Sequence, residues 1–413
     1  MKPKLYLTDS ARNGIDSNKN YKWAHLYAGA PVPPTKGGSF NFLIDDLIKG
    51  NQDHILISRF YKESFDNSKL SDSSIVYIQY EPKIKLKSKV KHLLTGLPQI
   101  NFDDFLIEGF KIIEKIDCDN ILVWGTPIYL NKLRARFPNK TIAYAQRFFQ
   151  HAYEISNQYD YCNILLTQTY ETTKLAFETN YALTPMIVTI PNGVELDMFA
   201  PSNAEEKIKF KTSFGINPND FVVLWPSKLH PNKGTSYLLN WIKYFEQKNP
   251  KIHFLVAGEW GISNLNGNTK KLDSYLKKGK SVTWIKNLAR MDMPNIYKSA
   301  DVSLMPGVLR EGMSMSTQES LSSGLPVIAT QRGTYPEIIT TDYNGILCNP
   351  ENLFTEGISS IEKLFSNTEL LQKMAENARD YSVKRLSRER CLNNFKHFFN
   401  EEYSKIDNDL SII

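Results

Sequence analysis

Two glutamates, Glu311 and Glu319, lie eight positions apart in a stretch whose pattern predicts a ligand site. The apolar run Val302–Met305 precedes them and residues 324–329 follow, so the order predicts strand, loop, helix and strand. Open α/β sheets bind ligands beyond the carboxyl ends of their strands, where helix N-termini favour phosphate. We therefore expect Glu311 in the loop at the helix start and Glu319 about two turns inside the helix, at the mouth of a crevice and outside the core.

The separation of the two glutamates argues against glycoside hydrolysis. Eight helical residues rise about 12 Å, whereas the paired carboxylates of glycosidases sit about 5–10 Å apart across one bond. Each glutamate also has a structural alternative. Glu311 could cap the helix N-terminus, and Glu319 could be an exposed helix residue.

Two lysines, Lys228 and Lys233, flank a loop that follows the predicted strand 221–226. In a dry cleft such cations stabilise the negative charge that grows on a departing phosphate. The alternative is a pair of solvated lysines in a surface loop.

Residues 311–319, with residues 323–330 and Gly333 after them, resemble the Glu-x7-Glu region of the retaining glycosyltransferases of family four. Three further segments agree with that family in order and spacing. The resemblance covers residues 190–380 well and the first half of the chain only loosely. The further segments are residues 191–195 with Phe199, residues 222–234, and residues 254–259 with 282–297.

The resemblance implies a role for each matching position. Glu311 would lie by the transferred sugar, Glu319 would hold the ribose of the nucleotide, and the two lysines would face the diphosphate. The implied catalytic set is Lys228, Lys233 and Glu311, and the implied donor-binding set is Gly37, Gly38, Gly258, Lys286, Gly312, Met313, Ser314, Met315 and Glu319.

Three positions depart from the family pattern. Lys228 stands where arginine is usual, which removes a planar, bidentate donor. Met313 and Ser314 stand where phenylalanine and glycine are usual. The family histidine that follows the fifth strand of the first domain is missing, so either Gln146 contacts the sugar or His151 is displaced into the site.

Strand-like and helix-like runs alternate along the whole chain, which predicts parallel sheets built from βα units. With the resemblance, this predicts a GT-B fold of two Rossmann-like domains that face each other across a cleft. The domains would be residues 1–192 on the acceptor side and residues 193–380 for the nucleotide sugar, with a helical tail, 381–413, that packs back on the first domain. Residues 11–34 are predicted to be a long loop, either shaping the acceptor site or packed irregularly.

The expected strands are 4–8, 54–60, 75–79, 120–125, 140–145, 164–167 and 187–190, then 221–226, 253–258, 282–285, 302–305 and 327–329. The expected helices are 40–48, 103–116, 170–178, 235–247, 272–277, 293–299, 315–323 and 354–365, with a last helical stretch over 381–404.

Composition narrows the class of protein. The chain has 413 residues, too many for one ordinary core, with 41% hydrophobic and 23% charged residues. No apolar run approaches the roughly 18 residues of a membrane span, and residues 1–4 open no signal peptide, so we expect a cytoplasmic location. The widely spaced cysteines predict reduced thiols, and no metal site is expected.

Five lysines alternate with apolar residues in a short basic run, residues 83–91. The run is either a solvated edge or a patch that meets an anionic membrane surface or a phosphorylated acceptor. No nucleic-acid motif accompanies it, so nucleic acid is not an expected partner. The five are Lys83, Lys85, Lys87, Lys89 and Lys91.

The resemblance implies a retaining glycosyltransferase of glycan biosynthesis. It would move a hexose-type sugar from a nucleoside diphosphate sugar to a hydroxyl of a glycan, lipid-linked or protein-linked acceptor, without a metal cofactor. Two alternatives share the fold: a non-catalytic nucleotide-sugar-binding protein, and a nucleotide-sugar epimerase.

Overall fold

The computed structural model describes most of the chain, and its residues divide into two compact units. The first comprises Met1–Thr167 and Leu175–Val188, and the second comprises Gln168–Lys174 and Thr189–Ile413. The predicted domain limits, and the return of the tail to the first domain, stay predictions. The described residues are 4–7, 20–28, 32, 39–60, 75–79, 103–116, 118–125, 129–146, 156–179, 184–261, 265, 267–286 and 288–411.

The described part of the first sheet has eight strands in the order β1-β4-β3-β2-β5-β6-β7-β8. The ladders from β4 through to β7 are parallel. β1 pairs with β4 in the antiparallel sense. The strands are β1 (Lys4–Leu7), β2 (Trp23–Tyr27), β3 (His54–Phe60), β4 (Ile75–Gln79), β5 (Asn120–Trp124), β6 (Thr141–Ala145), β7 (Ile164–Thr167) and β8 (Met186–Thr189).

Strand β2 corrects the sequence analysis, which assigned its residues to a long loop. It lies in the middle of the sheet, paired with β3 on one side and with β5 on the other. All five of its residues are buried. A strand that is covered on both faces does not alternate between apolar and polar residues, so its sequence lacks the usual signal.

The first unit buries one face of its sheet under helices that follow the strands. Ile55 and Ile57 of β3 alternate with residues of the opposite face and join the same apolar cluster as Phe105 and Ile113. The helices are α1 (Ser39–Lys49), α2 (Asp103–Ile116) and α3 (Leu130–Arg136). The first two were predicted to within a residue, and α3 was not predicted.

The second sheet has six strands in the order β11-β10-β9-β12-β13-β14, and every neighbouring pair is parallel. Five of the strands were predicted to within a residue at each end, while β14 was not predicted. The strands are β9 (Phe221–Trp225), β10 (Ile252–Ala257), β11 (Val282–Ile285), β12 (Val302–Met305), β13 (Val327–Thr330) and β14 (Gly345–Cys348).

Strand β9 shows how this sheet is covered on both faces. Val223 and Trp225 belong to one apolar cluster, whereas Val222 and Leu224 belong to a second cluster on the opposite face. Such double burial is typical of parallel sheets in α/β proteins.

The remaining helices lie between and after these strands. Helices α5, α10 and α12 were not predicted, and the expected stretch 381–404 is interrupted, because α12 ends at Arg385 and Ser387 caps a new helix. They are α4 (Tyr170–Thr179), α5 (Ala204–Ser213), α6 (Thr235–Lys248), α7 (Gly267–Leu276), α8 (Met293–Lys298), α9 (Met315–Ser322), α10 (Tyr335–Ile338), α11 (Leu353–Ser366), α12 (Thr368–Arg385) and α13 (Arg388–Phe399).

The tail packs within the second unit by contacts near the junction segment. Ser387 forms an isolated bridge with Val194, and the hydroxyl of Tyr381 donates to the carbonyl of Leu410 at 2.8 Å. All four cysteines are buried and free. In the part of the chain that the structure describes, no helix combines the length and the apolar character that a membrane crossing needs.

Candidate active site

The strand order of the second sheet defines where a ligand site is expected. Counted along the chain, the order is third, second, first, fourth, fifth, sixth, so the direction of winding reverses between β9 and β12. In open α/β sheets ligands bind at this switch point, outside the carboxyl ends of the strands. The loop after β9 spans residues 226–234 and the loop after β12 spans residues 306–314.

The loop after β9 is pressed directly onto the loop after β12. The amide of Val308 donates to the carbonyl of Asn232 at 2.9 Å. Gly234 has a φ of +85°, and a Cβ there would lie 2.1 Å from the carbonyl oxygen of Pro306. Only glycine fits this close approach and this left-handed backbone, so Gly234 is required between Lys233 and the start of α6.

A short 3-10 turn, Pro231–Lys233, presents Lys233 at the switch point. The ring nitrogen Nδ1 of His230 accepts from the amide of Asn232 at 3.1 Å and caps this turn. Burial, and then the nearby charge of Lys233, lowers the pKa of His230 below its usual value. His230 therefore acts as a neutral cap beside the cation.

Lys233 and Glu311 meet across the switch point. The Nζ atom of Lys233 donates to Oε2 of Glu311 at 2.5 Å, and the hydroxyl of Tyr335 reaches the same oxygen at 3.3 Å. Beside the carboxylate, burial raises the pKa of Tyr335 well above its usual value, so its hydroxyl remains a donor. Among the described residues, the Glu311 carboxylate therefore pairs with Lys233 and Tyr335, and the N-cap residue of α9 is Ser314.

The backbone around Glu311 is held by the loop after β13. Gly333 has a φ of +60°, and a Cβ there would lie 2.6 Å from the amide nitrogen of Glu311. The amide of Thr334 donates to the carbonyl of Glu311 at 3.2 Å, and its hydroxyl donates to the carbonyl of Gly312 at 3.0 Å. These contacts fix the backbone of Glu311 and therefore the direction of its side chain.

The N-terminus of α9 follows Glu311 without a side-chain cap. Ser314 is the N-cap residue, with extended backbone and no capping hydrogen bond from its side chain. Gln318 is fully buried, and its amide nitrogen Nε2 donates to the carbonyl of Ser314 at 3.4 Å. The first turn of α9 therefore presents backbone N–H groups of the kind that bind anions.

Met313 belongs to the core more than to a ligand surface. Its side chain is 4% exposed, and its sulfur accepts from the amide of Asn192 at 3.2 Å. The side-chain amide of Asn192 also donates to the carbonyl of Met313 at 3.3 Å. Any donor contact at Met313 would therefore use backbone atoms.

Glu319 lies deeper than the sequence analysis placed it. It is the fifth residue of α9, about one turn from the start rather than two, and it is 7% exposed. Tyr297 donates its hydroxyl to Oε2 of Glu319 at 2.8 Å, and Arg290 donates to Oε1 at 3.3 Å. The placement outside the core is wrong, because the interior of the unit supplies both partners.

Burial dominates the acidity of Glu319. Desolvation raises its pKa to about 7, against the opposing effects of Arg290 and the Tyr297 hydroxyl, while the charge of Glu195 raises it further. Arg290 also donates to Glu195 at 2.8 Å and lies over the ring of Phe199, 5.5 Å from its centroid. No sequence motif marked Arg290 or this role of Tyr297, because their contacts with Glu319 join distant parts of the chain.

Lys228, Gly258 and Lys286 lie toward the β11 side of the same sheet edge. Lys228 is exposed, and a Cβ on Gly258 would lie 2.4 Å from the carbonyl oxygen of Ser227, which is a packing reason for glycine there. The Nζ atom of Lys286 lies 3.6 Å from the ring centroid of Trp284, whose Nε1 donates to the carbonyl of Gly258 at 2.8 Å. With strands spaced about 4.8 Å, β11 is about 14 Å from β12.

Several predicted site residues lie outside the described part of the chain, namely Gly37, Gly38, His151 and the lysine run 83–91. Gln146, the alternative to His151, is described and directly follows β6. It is 3% exposed, and among the described residues neither atom of its side-chain amide has a hydrogen-bond partner. Its contact with a sugar stays a prediction.

Comparison with known sequences finds that the second unit is similar to glycosyltransferases. Residues 206–381 match the family described as glycosyl transferases group 1. The putative glycosyltransferase YtcC of Bacillus subtilis (strain 168) is 20% identical over 371 residues, which cover 85% of this chain and 84% of the relative. An Escherichia coli UDP-Gal:alpha-D-GlcNAc-diphosphoundecaprenol alpha-1,3-galactosyltransferase is 29% identical over 199 residues, 48% of this chain and 49% of the relative. The chain thus spans about half of that second relative.

Solved structures agree at the level of the fold. HepE of Anabaena, in complex with UDP and glucose, superposes with a TM-score of 0.71 at 16% identity and covers 92% of this chain and 100% of that one. Sucrose-phosphate synthase from Thermosynechococcus elongatus gives a TM-score of 0.73 at 13% identity, with coverages of 93% and 99%. The fold is that of GT-B glycosyltransferases, as predicted, and with the family match the comparisons support a glycosyltransferase. The family number, the retaining mechanism and the sugar stay predictions.

Proposed function

We propose that this protein is a retaining glycosyltransferase that moves a hexose-type sugar from a nucleoside diphosphate sugar to a hydroxyl group. The observation that carries the proposal is the meeting of Lys233 and Glu311 at the switch point, 2.5 Å apart, beside the uncapped N-terminus of α9. A cation, a carboxylate and a set of backbone N–H groups suit a diphosphate joined to a sugar.

In the proposed reaction, the bond between the anomeric carbon and the diphosphate oxygen breaks, and a bond from the acceptor oxygen forms on the same face. The leaving diphosphate takes the electron pair of the broken bond and then the proton of the acceptor hydroxyl. Lys233, with Lys228 further along the edge, stabilises the growing charge on the phosphate. Glu311 holds Lys233 in the empty site and accepts a hydrogen bond from the sugar in the filled one.

The rest of the donor follows the sheet edge in this proposal. Glu319 accepts the ribose hydroxyls, and the nucleobase lies toward the β11 side, near Gly258 and Lys286. The backbone amides of residues 312–315 face the sugar and the phosphates. The edge from β12 to β11 is elongated, as a nucleotide sugar is.

The names of similar proteins suggest which substrates to test first. HepE is described with UDP, and the E. coli relative is named for a UDP-sugar donor and a lipid-linked diphosphate acceptor. We therefore propose UDP-sugars as the first donors and a lipid-linked acceptor reached at the inner face of a membrane through the lysine run 83–91. We also propose that no metal is needed, so turnover should persist in EDTA.

A thermal-shift panel of UDP-, GDP-, ADP- and dTDP-sugars tests the proposal, followed by NMR of the products formed from the stabilising donor. We expect one donor class to stabilise the protein, and the transferred sugar to keep its anomeric configuration. A panel without any stabilising donor would contradict the proposal. A product with inverted anomeric configuration would contradict the retaining mechanism. A 2-epimer of the donor would indicate an epimerase, and binding without turnover would indicate a binding protein.

A further inference from the structure

Arg290 lies between two carboxylates that come from different segments of the second unit. Its Nη2 atom donates to Oε1 of Glu195 at 2.8 Å, and its Nη1 atom lies 3.3 Å from Oε1 of Glu319. The Arg290 side chain is 15% exposed, so water competes little for these contacts. This bridge has no part in the mechanism proposed above, although that mechanism assigns Glu319 to the ribose.

We infer that Arg290 is a positioning residue, which sets the orientation in which Glu319 can accept two hydrogen bonds from the ribose of a nucleoside diphosphate. The inference rests on the proposed function, because it concerns the same donor site. It adds a specific element to that function, namely a bridge from Glu195 through Arg290 to Glu319.

The hydrogen-bonding capacity of the carboxylate supports this role. An ionised glutamate offers about four acceptor positions. Among the described residues, Tyr297 and Arg290 use one position on each oxygen. The two positions that remain match the two hydroxyl protons of a ribose.

Arg290 pairs with both Glu195 and Glu319. This explains why Arg290 can orient the Glu319 carboxylate without using all of its acceptor positions. A guanidinium that paired with Glu319 alone would bind both of its oxygens in a bidentate fork. Glu195 holds the other arm at 2.8 Å, and the ring of Phe199 lies beneath the guanidinium at 5.5 Å. These contacts turn Arg290 so that one nitrogen reaches Glu319, at 3.3 Å.

The charged groups around Glu319 give the inference a measurable signature. Arg290 and Glu195 face it from the segments before α8 and before α5, and Tyr297 faces it from α8. On α12, the helix packed against α9, the guanidinium of Arg379 is bound to the carbonyls of Leu196 and Ser322. Because the pKa of Glu319 is about 7 in the empty site, nucleotide binding should weaken as the pH falls through neutrality and protonates the carboxylate.

Two substitutions should move this pH midpoint in opposite directions. Arg290→Met removes the cation that favours ionised Glu319, so the midpoint should rise. Affinity at pH 7 should then fall about tenfold for each pH unit by which the midpoint rises. Glu195→Gln removes a negative charge and leaves Arg290 to Glu319, so the midpoint should fall. Arg290→Lys should restore part of the lost affinity.

The experiment is calorimetric titration with UDP between pH 5.5 and 8.5, or with GDP, ADP or dTDP if one of these gives the larger thermal shift. Arg390→Met is the matched control, because Arg390 forms a similar ion pair with Asp407 in the tail, at 2.7 Å. Its midpoint should equal that of the wild type.

The outcomes separate the inference from the proposed function. Opposite shifts in Arg290→Met and Glu195→Gln support the role of Arg290. Unchanged midpoints, or shifts in the same direction, overturn the inference about Arg290. The proposed function still stands in that case if the wild-type protein binds a nucleotide. If Arg290→Met does not fold, Glu195→Gln alone decides, and a midpoint that fails to fall overturns the inference. Wild-type protein that binds none of the four nucleotides overturns the proposed function itself.

Discussion

Six adjacent strands of the first sheet, from β4 to β7, follow the same order as the second sheet, but the described polar groups of the two sheets lie in different places. In the second sheet, the loops after β9 and β12 bring Lys233 and Glu311 together outside the strands. In the first sheet, the corresponding strands are β2 and β5, and their polar groups meet within the core. Trp124 donates to Nδ1 of His25 at 3.1 Å, and Nε2 of His25 lies 2.9 Å from Nδ1 of His54.

The polar groups that the described residues place in the two sheets therefore differ in kind. His25 is fully buried, and desolvation, followed by the charge of His54, lowers its pKa well below its usual value. Desolvation likewise lowers the pKa of His54 to about 4. The two histidines are therefore neutral hydrogen-bonding groups that hold three strands together, whereas Lys233 and Glu311 form an ion pair outside the strands.

The largest expected effect tests the charged switch point. Lys233→Ala should lower donor turnover by about a hundredfold or more, roughly 2–4 kcal/mol, because the lysine stabilises charge that grows toward the transition state. Donor affinity should change less. Steady-state kinetics with the stabilising donor measures both, and Lys363→Ala is the matched control, because Lys363 pairs with Asp342 at 2.6 Å elsewhere on the unit. A turnover within threefold of wild type would remove Lys233 from the site.

The next effect concerns Glu319, which combines a site role with a core position. Glu319→Ala should abolish nucleotide binding, since each hydrogen bond to a charged group is worth about 1.5–3 kcal/mol. It should also reduce the free energy of unfolding, because Tyr297 and Arg290 lose their shared partner in the interior. Calorimetry and chemical denaturation measure the two effects separately. Normal nucleotide affinity in a folded variant would show that Glu319 does not hold the ribose.

A third prediction compares two glycines with similar backbone and different surroundings. Gly215 has a φ of +70°, and a Cβ at that position would have nothing within 4 Å, whereas the Cβ of a residue at 234 would overlap the carbonyl of Pro306. Gly215→Ala should cost only the strain of a left-handed residue, about 1–2 kcal/mol. Gly234→Ala should cost more and should weaken donor binding. Equal losses of stability, with donor binding intact, would show that the close approach of the two loops is not required.

The smallest expected effect tests the first sheet. The pKa of His54 is about 4 in the folded chain and about 6.5 in the unfolded chain. The unfolded chain therefore takes up a proton first as the pH falls, so stability is lost below pH 6.5 and the loss levels off near pH 4. The loss should be roughly 1 kcal/mol at pH 5.5.

His54→Gln should reduce this acid sensitivity while leaving donor hydrolysis at pH 7.5 unchanged. Denaturation at pH 7.5 and 5.5 measures the difference, and His253 and His25 supply the part that remains in the variant. A wild-type stability that is the same at both pH values would show that the buried histidines are not held neutral.

The sequence predicted the second sheet better than the first for a physical reason. The turns after β9, β12 and β13 contain Gly234, Gly333 and other residues that the backbone geometry requires, so the pattern could be recognised. Strand β2 is buried on both faces and has no such turn residue among those described, so nothing in Trp23–Tyr27 distinguished it from a packed loop.

The candidate site likewise contains residues whose positions the sequence predicted and residues whose positions it did not. Lys233 and Glu311 were each placed at the carboxyl end of a strand, and the structure brings them into contact. The depth of Glu319 and the role of Arg290 depend on how α8 and the junction segment pack against α9. Those contacts join residues up to 95 positions apart, as between Glu195 and Arg290, and no local spacing encodes them.

The backbone contact between the loops after β9 and β12 has a consequence for how such a site can diversify. Because Val308 bonds to Asn232 and Gly234 admits no side chain, an insertion in either loop would separate the two halves of the switch point. Among homologous proteins, we therefore expect sugar preference to change by substitutions in these two loops, and loop lengths to change in other parts of the chain. A library that varies the length of these two loops should yield mostly inactive proteins, whereas one that varies side chains at 313–315 should yield altered specificities.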